Sequence, residues 1–339
     1  MTLLEIKDLS TIFKTRRGDV NALDGVSLSV DHGCNFGLVG ESGCGKSTLL
    51  KSIVGVLPPN AAVTGGQVLF DGRDLTKMDE DALRKIRWKE ISMITQSALN
   101  ALDPVYTVGD QIAETIRIHE KADKSTVRKR ISQMFGLVGI DAKRFNEYPH
   151  QFSGGMRQRA IIAMSLILEP KLVIADEPTT SLDVIVQDQI FTNIRRLQRS
   201  LGFSMFLVTH DIAVVIENCD RIGIMYGGKI MEIGPVAEVV SRSFHPYTMG
   251  LKNSFPNIVD RRCELISIPG VPPTLMGTLH GCRFAERCPF AADICRSHSP
   301  VLTRIGADHH AACHFTDRVE SMREKAARAG TWGDSHSSR

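Results

Sequence analysis

Apolar and polar positions fall into blocks along this chain, and the blocks predict a repeated strand and helix order. Residues 26–30 (VSLSV) and 36–39 read as strands. Gly43 and Gly45 then interrupt the pattern, and Lys46–Val54 (KSTLLKSIV) opens an apolar run of helical character. Residues 172–175 (LVIA) are apolar throughout, as expected of a parallel strand covered on both faces. A helix follows whose apolar positions Val186, Ile190, Ile194, Leu197 and Leu201 recur at helical spacing and which ends at Gly202; residues 204–208 come next as another strand. This order predicts a doubly wound α/β core. Between about 97 and 168 the strand pattern stops, and the stripe Val127, Ile131, Phe135 and Val138 marks a helical insertion. Gly227 and Gly228 predict a tight hairpin. We expect a first domain over 1–241, a small Pro-, Cys- and His-rich domain over 242–316, and a tail over 317–339 that frays from Thr331 onward.

Composition narrows the class. The chain has 339 residues, 42% hydrophobic and 23% charged, which fits roughly two globular domains and excludes a disordered, collagen-like or disulfide-scaffold protein. The longest apolar run, 160–168 (AIIAMSLIL), is far shorter than the about 18–20 residues that cross a bilayer, so a membrane role would come through a partner. The first residues, MTLLEIKDLS, lack the features of a secretory signal, and the chain reads as cytosolic. Its 41 basic and 38 acidic residues are interspersed and give a net charge of +3, without the basic footprint of a nucleic-acid binder. Eight cysteines in a reducing compartment read as metal ligands or free thiols.

Three segments carry chemistry. Gly40, Glu41, Ser42, Gly43, Cys44, Gly45, Lys46 and Ser47 fit G-x-x-x-x-G-K-[ST], followed by Thr48. In such a loop backbone N–H groups wrap phosphates, the lysine reaches the β and γ oxygens, and the hydroxyl of Ser47 can ligate Mg²⁺. Cys44, beside a helix N-terminus, is expected to favour the thiolate and to react with a maleimide, with a buried small residue as the alternative. The 172–175 strand ends in Asp176 and Glu177, one carboxylate for Mg²⁺ and one to polarise an attacking water. Ser153, Gly154 and Gly155 open the segment FSGGMRQ with the small residues and free N–H groups of an anion-binding helix start.

With Gln96, Ser181-Leu182-Asp183 and His210, the order and spacing of these segments resemble the ATP-binding-cassette family. The resemblance implies a P-loop NTPase (RecA-like) cassette with a helical insertion and a small Cys-containing C-terminal extension. It implies Glu177, His210 and Gln96 as catalytic residues: His210 meets the γ-phosphate, and Gln96 senses Mg²⁺ and the water. Residues 40–48 and Asp176 would bind ATP, and Ser47, Gln96 and Asp176 would serve Mg²⁺. Ser153, Gly154, Gly155, Gln158 and Asp183 would act on ATP held by the opposite subunit, which requires a dimer. Phe13 is a candidate for stacking on adenine, with an ordinary core phenylalanine as the alternative.

Finer features resemble the dipeptide, oligopeptide and nickel importer branch. These are QSALNALDPV from Gln96, with Asp103 where Asn is more usual, HPYT from His245, and IPGVPP from Ile268. The branch implies a second ATPase subunit, either a copy or a paralogue, two permease subunits and an extracytoplasmic solute-binding protein. It also implies a peripheral position on the cytoplasmic face of the inner membrane and no nucleic acid. Cys282-x5-Cys288-x6-Cys295-x17-Cys313 could hold a [4Fe–4S] cluster, which the resemblance favours, or Zn²⁺, or remain as four unligated thiols. His280, His298, His309, His310 and His314 are alternative ligands, and Cys34, Cys219 and Cys263 are expected to be unligated. The alternative class is a nucleic-acid-linked cassette ATPase with a zinc module. Against it, the stretch between Lys46 and Ser153 leaves no room for the long insertions of repair cassettes.

Overall fold

The computed structural model describes residues 1–95, 101–179, 183–254, 266–277 and 279–333, which fold as two compact units.

The first unit is built from Met1–Leu3, Val30–Asn35 and Lys77–Val208. Its strands Ile91–Ile94, Leu172–Asp176 and Ser204–Thr209 pair in parallel in that order, Ile91 opposite Leu172 and Leu172 opposite Ser204. All five residues of the central strand are buried, as an unbroken apolar strand requires. Helices Val108–His119, Lys124–Val138 and Gly154–Leu166 make up the expected helical insertion. Helix Lys124–Val138 starts where the Asp123 carboxylate accepts from the backbone N–H groups of Ser125 and Thr126, and it stops at Gly139 in the left-handed region. Its stripe Val127, Ile131, Phe135 and Val138 is buried, each side chain contributing about 1.5–3 kcal/mol of transfer free energy. Helix Val184–Leu201 ends at Gly202 as its pattern predicts.

The second unit comprises Leu4–Ser29, Phe36–Thr76 and Thr209–Arg339. One sheet orders Gly18–Asp31, Thr2–Thr15, Ala61–Phe70 and Arg73–Asp74 side by side. The other runs through Thr303–Arg304, His310–Ala311, Lys229–Pro235, Arg221–Tyr226 and Asn35–Val39. Phe36–Val39 pairs in parallel with 221–224, and the hairpin at Gly227 and Gly228 joins Arg221–Tyr226 to Lys229–Pro235. This unit also holds helices Pro246–Asn253, Asp293–Ser297 and Val319–Ala326.

The frayed-tail expectation is corrected for residues 331–333. Trp332 is buried, its indole Nε1 donates to the Ala326 carbonyl at 3.0 Å, and its ring lies over Gly250, where a Cβ would sit only 2.7 Å away. Among the described residues no helix is long and apolar enough to cross a membrane.

Candidate functional site

In the second unit the buried strand Asn35–Val39 delivers the chain to Gly40. Two glycines make the turn possible by close approach. A Cβ on Gly40 would lie 2.2 Å from the Met225 carbonyl oxygen, and one on Gly45, whose φ is +111°, would lie 2.6 Å from that of Ala22. Helix Lys46–Val54 begins immediately after Gly45 with no side-chain cap and no acidic residue in its first turn. Its first N–H groups and the positive end of its dipole therefore remain available to an anion. Ser42, Gly43 and Ser47 are exposed on the loop, and Thr48 is half-buried. Lys46 is buried; its Nζ donates to the carbonyls of Gly40 at 2.6 Å and Glu41 at 3.0 Å. The loop thus holds its own cation. The backbone N–H of Glu41 donates to the Tyr247 hydroxyl at 3.1 Å.

Cys44 corrects one expectation. It is only 2% exposed, and desolvation pushes its thiol above the ordinary range despite the nearby Lys46 ammonium, so it rests as a neutral thiol turned into the core. Phe13 is half-buried on strand Thr2–Thr15, opposite Ala61. His210 is exposed just beyond strand Ser204–Thr209.

In the first unit Asp176 closes the strand and is buried. Glu177 turns the chain with φ +46°, rare for a residue with a side chain, while its N–H donates to the Val208 carbonyl at 2.8 Å. The two consecutive carboxylates thus leave the strand with different backbone conformations. Ser153 caps helix Gly154–Leu166, its hydroxyl accepting from the Met156 N–H at 3.3 Å. Gly155 permits a close approach to Val186, whose Cγ1 would be 3.1 Å from an added Cβ. Gln158 is buried, and its Nε2 meets no acceptor among the described residues. Asp183 caps helix Val184–Leu201 by accepting from the Val186 N–H at 2.9 Å, beside Val184 and Ile185, which are 80% and 73% exposed. Gln96, Ser181 and Leu182 lie outside the described residues.

Cys282, Cys288, Cys295 and Cys313 line one small cavity together with Phe284 and Phe290. Among the described residues, however, no group of three or more His, Cys, Asp or Glu is arranged to hold a metal ion, and the iron–sulfur expectation is corrected; the zinc alternative meets the same finding. The lining is largely apolar, and burial pushes the thiols of Cys282 and Cys313 up to about 11 and raises that of Cys288 as well, so they stand as neutral thiols that fill space. Two of the histidines offered as alternative ligands already have partners. His309 bonds the buried Glu232 at 2.8 Å, and His314 bonds the His298 carbonyl at 2.9 Å. Cys34 and Cys219 form no disulfide, and Cys263 lies outside the described residues.

Sequence reasoning overlooked two features. Glu232 is fully buried in the apolar strand Lys229–Pro235 and also accepts from the N–H groups of Phe244 and His245 at 2.7 and 2.9 Å. A lone acid inside an apolar strand was the available signal. Arg287, which bonds the Glu41 carboxylate at 2.7 Å, had no local signal at all.

Comparison with known proteins bears on the same segments. The sequence model of the ABC transporter family matches residues 23–180, and that of the oligopeptide/dipeptide transporter C-terminal region matches 231–295. The chain is 45% identical over 324 residues to a probable peptide ABC transporter ATP-binding protein, y4tR, of Sinorhizobium fredii, covering 94% of this chain and 97% of that one. It is 44% identical over 319 residues to the dipeptide transport ATP-binding protein DppD of Bacillus subtilis, covering 93% and 95%. Among solved structures, the dimeric post-hydrolysis state of the ATP-binding cassette MJ0796 bound to ADP and Pi is similar with a TM-score of 0.62 and 27% identity, over 69% of this chain and 98% of that chain.

Proposed function

Since the chain belongs to the ABC transporter family and is an ATPase with that family's α/β cassette, we propose that it energises the import of peptides through two permease subunits supplied by a solute-binding protein. The relatives named for peptide and dipeptide transport, together with the matched C-terminal region, support the solute class. In this reading residues 1–241 are the cassette and 242–316 the importer-type extension. The chain sits at the inner face of the membrane, held there by the permeases.

One observation carries the assignment of roles. The loop at residues 40–47 begins a helix with neither cap nor acid, while its lysine rests on its own carbonyls. That is a cradle of donors for an anion. In the proposed reaction the N–H groups of this loop and Lys46 hold the β- and γ-phosphates, and Phe13 stacks on the base. The Ser47 hydroxyl and the Asp176 carboxylate are hard oxygen donors that fit Mg²⁺, which when bound supplies charge neutralisation to the phosphates; Gln96 is assigned to the same ion. Glu177 accepts a proton from the attacking water and orients it, and His210 bonds the γ-phosphate. The helix start at Ser153, Gly154 and Gly155, with Gln158 and Asp183, serves the nucleotide of the opposite ATPase subunit. Exposed Val184 and Ile185 beside Asp183 support a pairing surface there.

The test is Glu177→Gln, which should lower ATP turnover by roughly 100-fold or more while MgATP still binds. A variant that keeps most of its hydrolysis would show that another group orients the water.

A further inference from the structure

The guanidinium of Arg287 is buried between the cysteine-rich segment and the phosphate loop, both within the second unit, and its side chain is 7% exposed. Its Nη1 donates to Glu41 Oε2 at 2.7 Å and to the Tyr226 hydroxyl at 3.1 Å. Nε donates to the Pro269 carbonyl at 2.8 Å and Nη2 to that of Ile268 at 3.2 Å. The fork is thus fixed from several sides, one of which is the carboxylate of the second residue of the phosphate loop.

Glu41 is held at three points. Its N–H donates to Tyr247, its carbonyl accepts from Lys46, and its carboxylate accepts from Arg287. Tyr226, Tyr247 and Phe284 form an aromatic cluster around this junction, with the Tyr226 and Tyr247 rings 4.7 Å apart and the Tyr226 and Phe284 rings 5.3 Å apart. A carboxylate in a loop built to receive polyphosphate opposes its ligand, because like charges in a partly desolvated site repel more strongly than in water.

We propose that Arg287 is a positioning residue for the nucleotide reaction: it neutralises Glu41 and fixes the loop at that residue, so that the cysteine-rich segment sets how well the loop accepts phosphate. The proposal rests on the reading that residues 40–47 hold the phosphates. It gives the extension a role at the nucleotide that needs no metal.

The experiment measures MgADP binding to the full-length chain by isothermal titration calorimetry, with Lys46→Ala as a control for the site. Arg287→Met, which keeps bulk but leaves Glu41 unpaired, should weaken MgADP about tenfold, in the range usual for coupled neighbours. In steady-state hydrolysis the KM for ATP should rise while kcat stays within about twofold. Glu41→Gln alone should tighten MgADP about two- to threefold, since it removes the carboxylate's charge while an amide oxygen can still accept from Arg287 and hold the loop. The double variant Arg287→Met with Glu41→Gln should return to within about threefold of wild type.

Loss of affinity from mere unfolding of the extension would not be rescued by a change at Glu41. A double variant as weak as Arg287→Met alone therefore overturns the proposal, and so does an Arg287→Met chain that binds normally. Should Arg287→Met fail to fold, Glu41→Gln carries the test by itself, and weaker binding there overturns the proposal. A wild-type chain whose MgADP binding is indifferent to Lys46→Ala overturns the site reading, and this inference with it.

Discussion

The phosphate loop and the cysteine cavity are both runs of small residues and heteroatoms within one unit, yet they end in opposite states. The loop keeps donors in reserve. Its glycines bring backbone against backbone, its helix start is uncapped, and its buried lysine is satisfied by groups of the same turn. The cavity holds less in reserve, because burial raises the thiols of Cys282, Cys288 and Cys313 and aromatic rings share its lining, while the histidine and carboxylate near it are already bonded to each other. A ligand site is thus marked less by which residues gather than by whether their hydrogen-bonding capacity is left over.

Glu232 offers the strongest way to break this contrast, since it anchors the side of the unit that carries the cavity. Glu232→Ala leaves His309 and two backbone N–H groups without their acceptor, and we expect it to destabilise the chain by about 3–5 kcal/mol, read from denaturant melts. Glu232→Gln, which retains an acceptor, should cost less; equal losses would mean that the network is not what holds this region.

The loop side is tested by Lys46→Ala. Removing a buried ammonium that we assign to phosphate should weaken MgADP roughly 100-fold while changing thermal stability little. An unfolded variant would show instead that the bonds to Gly40 and Glu41 carry the loop itself.

Acid separates the two regions further. His245 is buried beside Phe284 and accepts from the Tyr247 N–H at 3.1 Å, and desolvation lowers its pKa from 6.5 to about 3. The unfolded chain then binds the proton more readily than the folded one, so this group's contribution to stability is full above pH 6.5. It falls by up to about 1.4 kcal/mol per pH unit as pH drops from 6.5 toward 3. His245→Asn should flatten that part of the stability curve, and an unchanged slope would assign the acid sensitivity to other groups. The smallest effect is expected from Cys295→Ala, about 1 kcal/mol in stability with MgADP affinity unaltered, as suits a thiol that fills space.

How much of this was legible in the sequence depends on how local the cause is. Helix Lys46–Val54, the stripe from Val127 to Val138 and the stop at Gly202 follow from residues within a few positions, and they stand where the pattern puts them. The glycine loop was legible for the same reason. Strands Thr2–Thr15 and Ala61–Phe70 were not, since half-buried antiparallel strands mix polar and apolar residues and their pairing is fixed by partners far along the chain. The four cysteines were legible as a cluster but misread as ligands, because spacing carries no information on desolvation. The bond from Arg287 to Glu41 spans 246 positions and has no local trace.

The discontinuity of the second unit has a consequence during synthesis. Phe36–Val39 leaves the ribosome early, but its parallel partner at 221–224 follows roughly 180 residues later, a delay on the order of 10–40 s at about 5–20 residues per second. Throughout that interval one edge of the strand that feeds the phosphate loop lacks its partner and the hairpin beyond it. Strands Ile91–Ile94, Leu172–Asp176 and Ser204–Thr209 have all emerged before this happens, and they pair with one another. The nascent chain should therefore pass through a stage in which the strand bearing Asp176 is folded while the phosphate loop is still being assembled, and cotranslational proteolysis would find residues 36–76 cut long after 91–208 have become resistant.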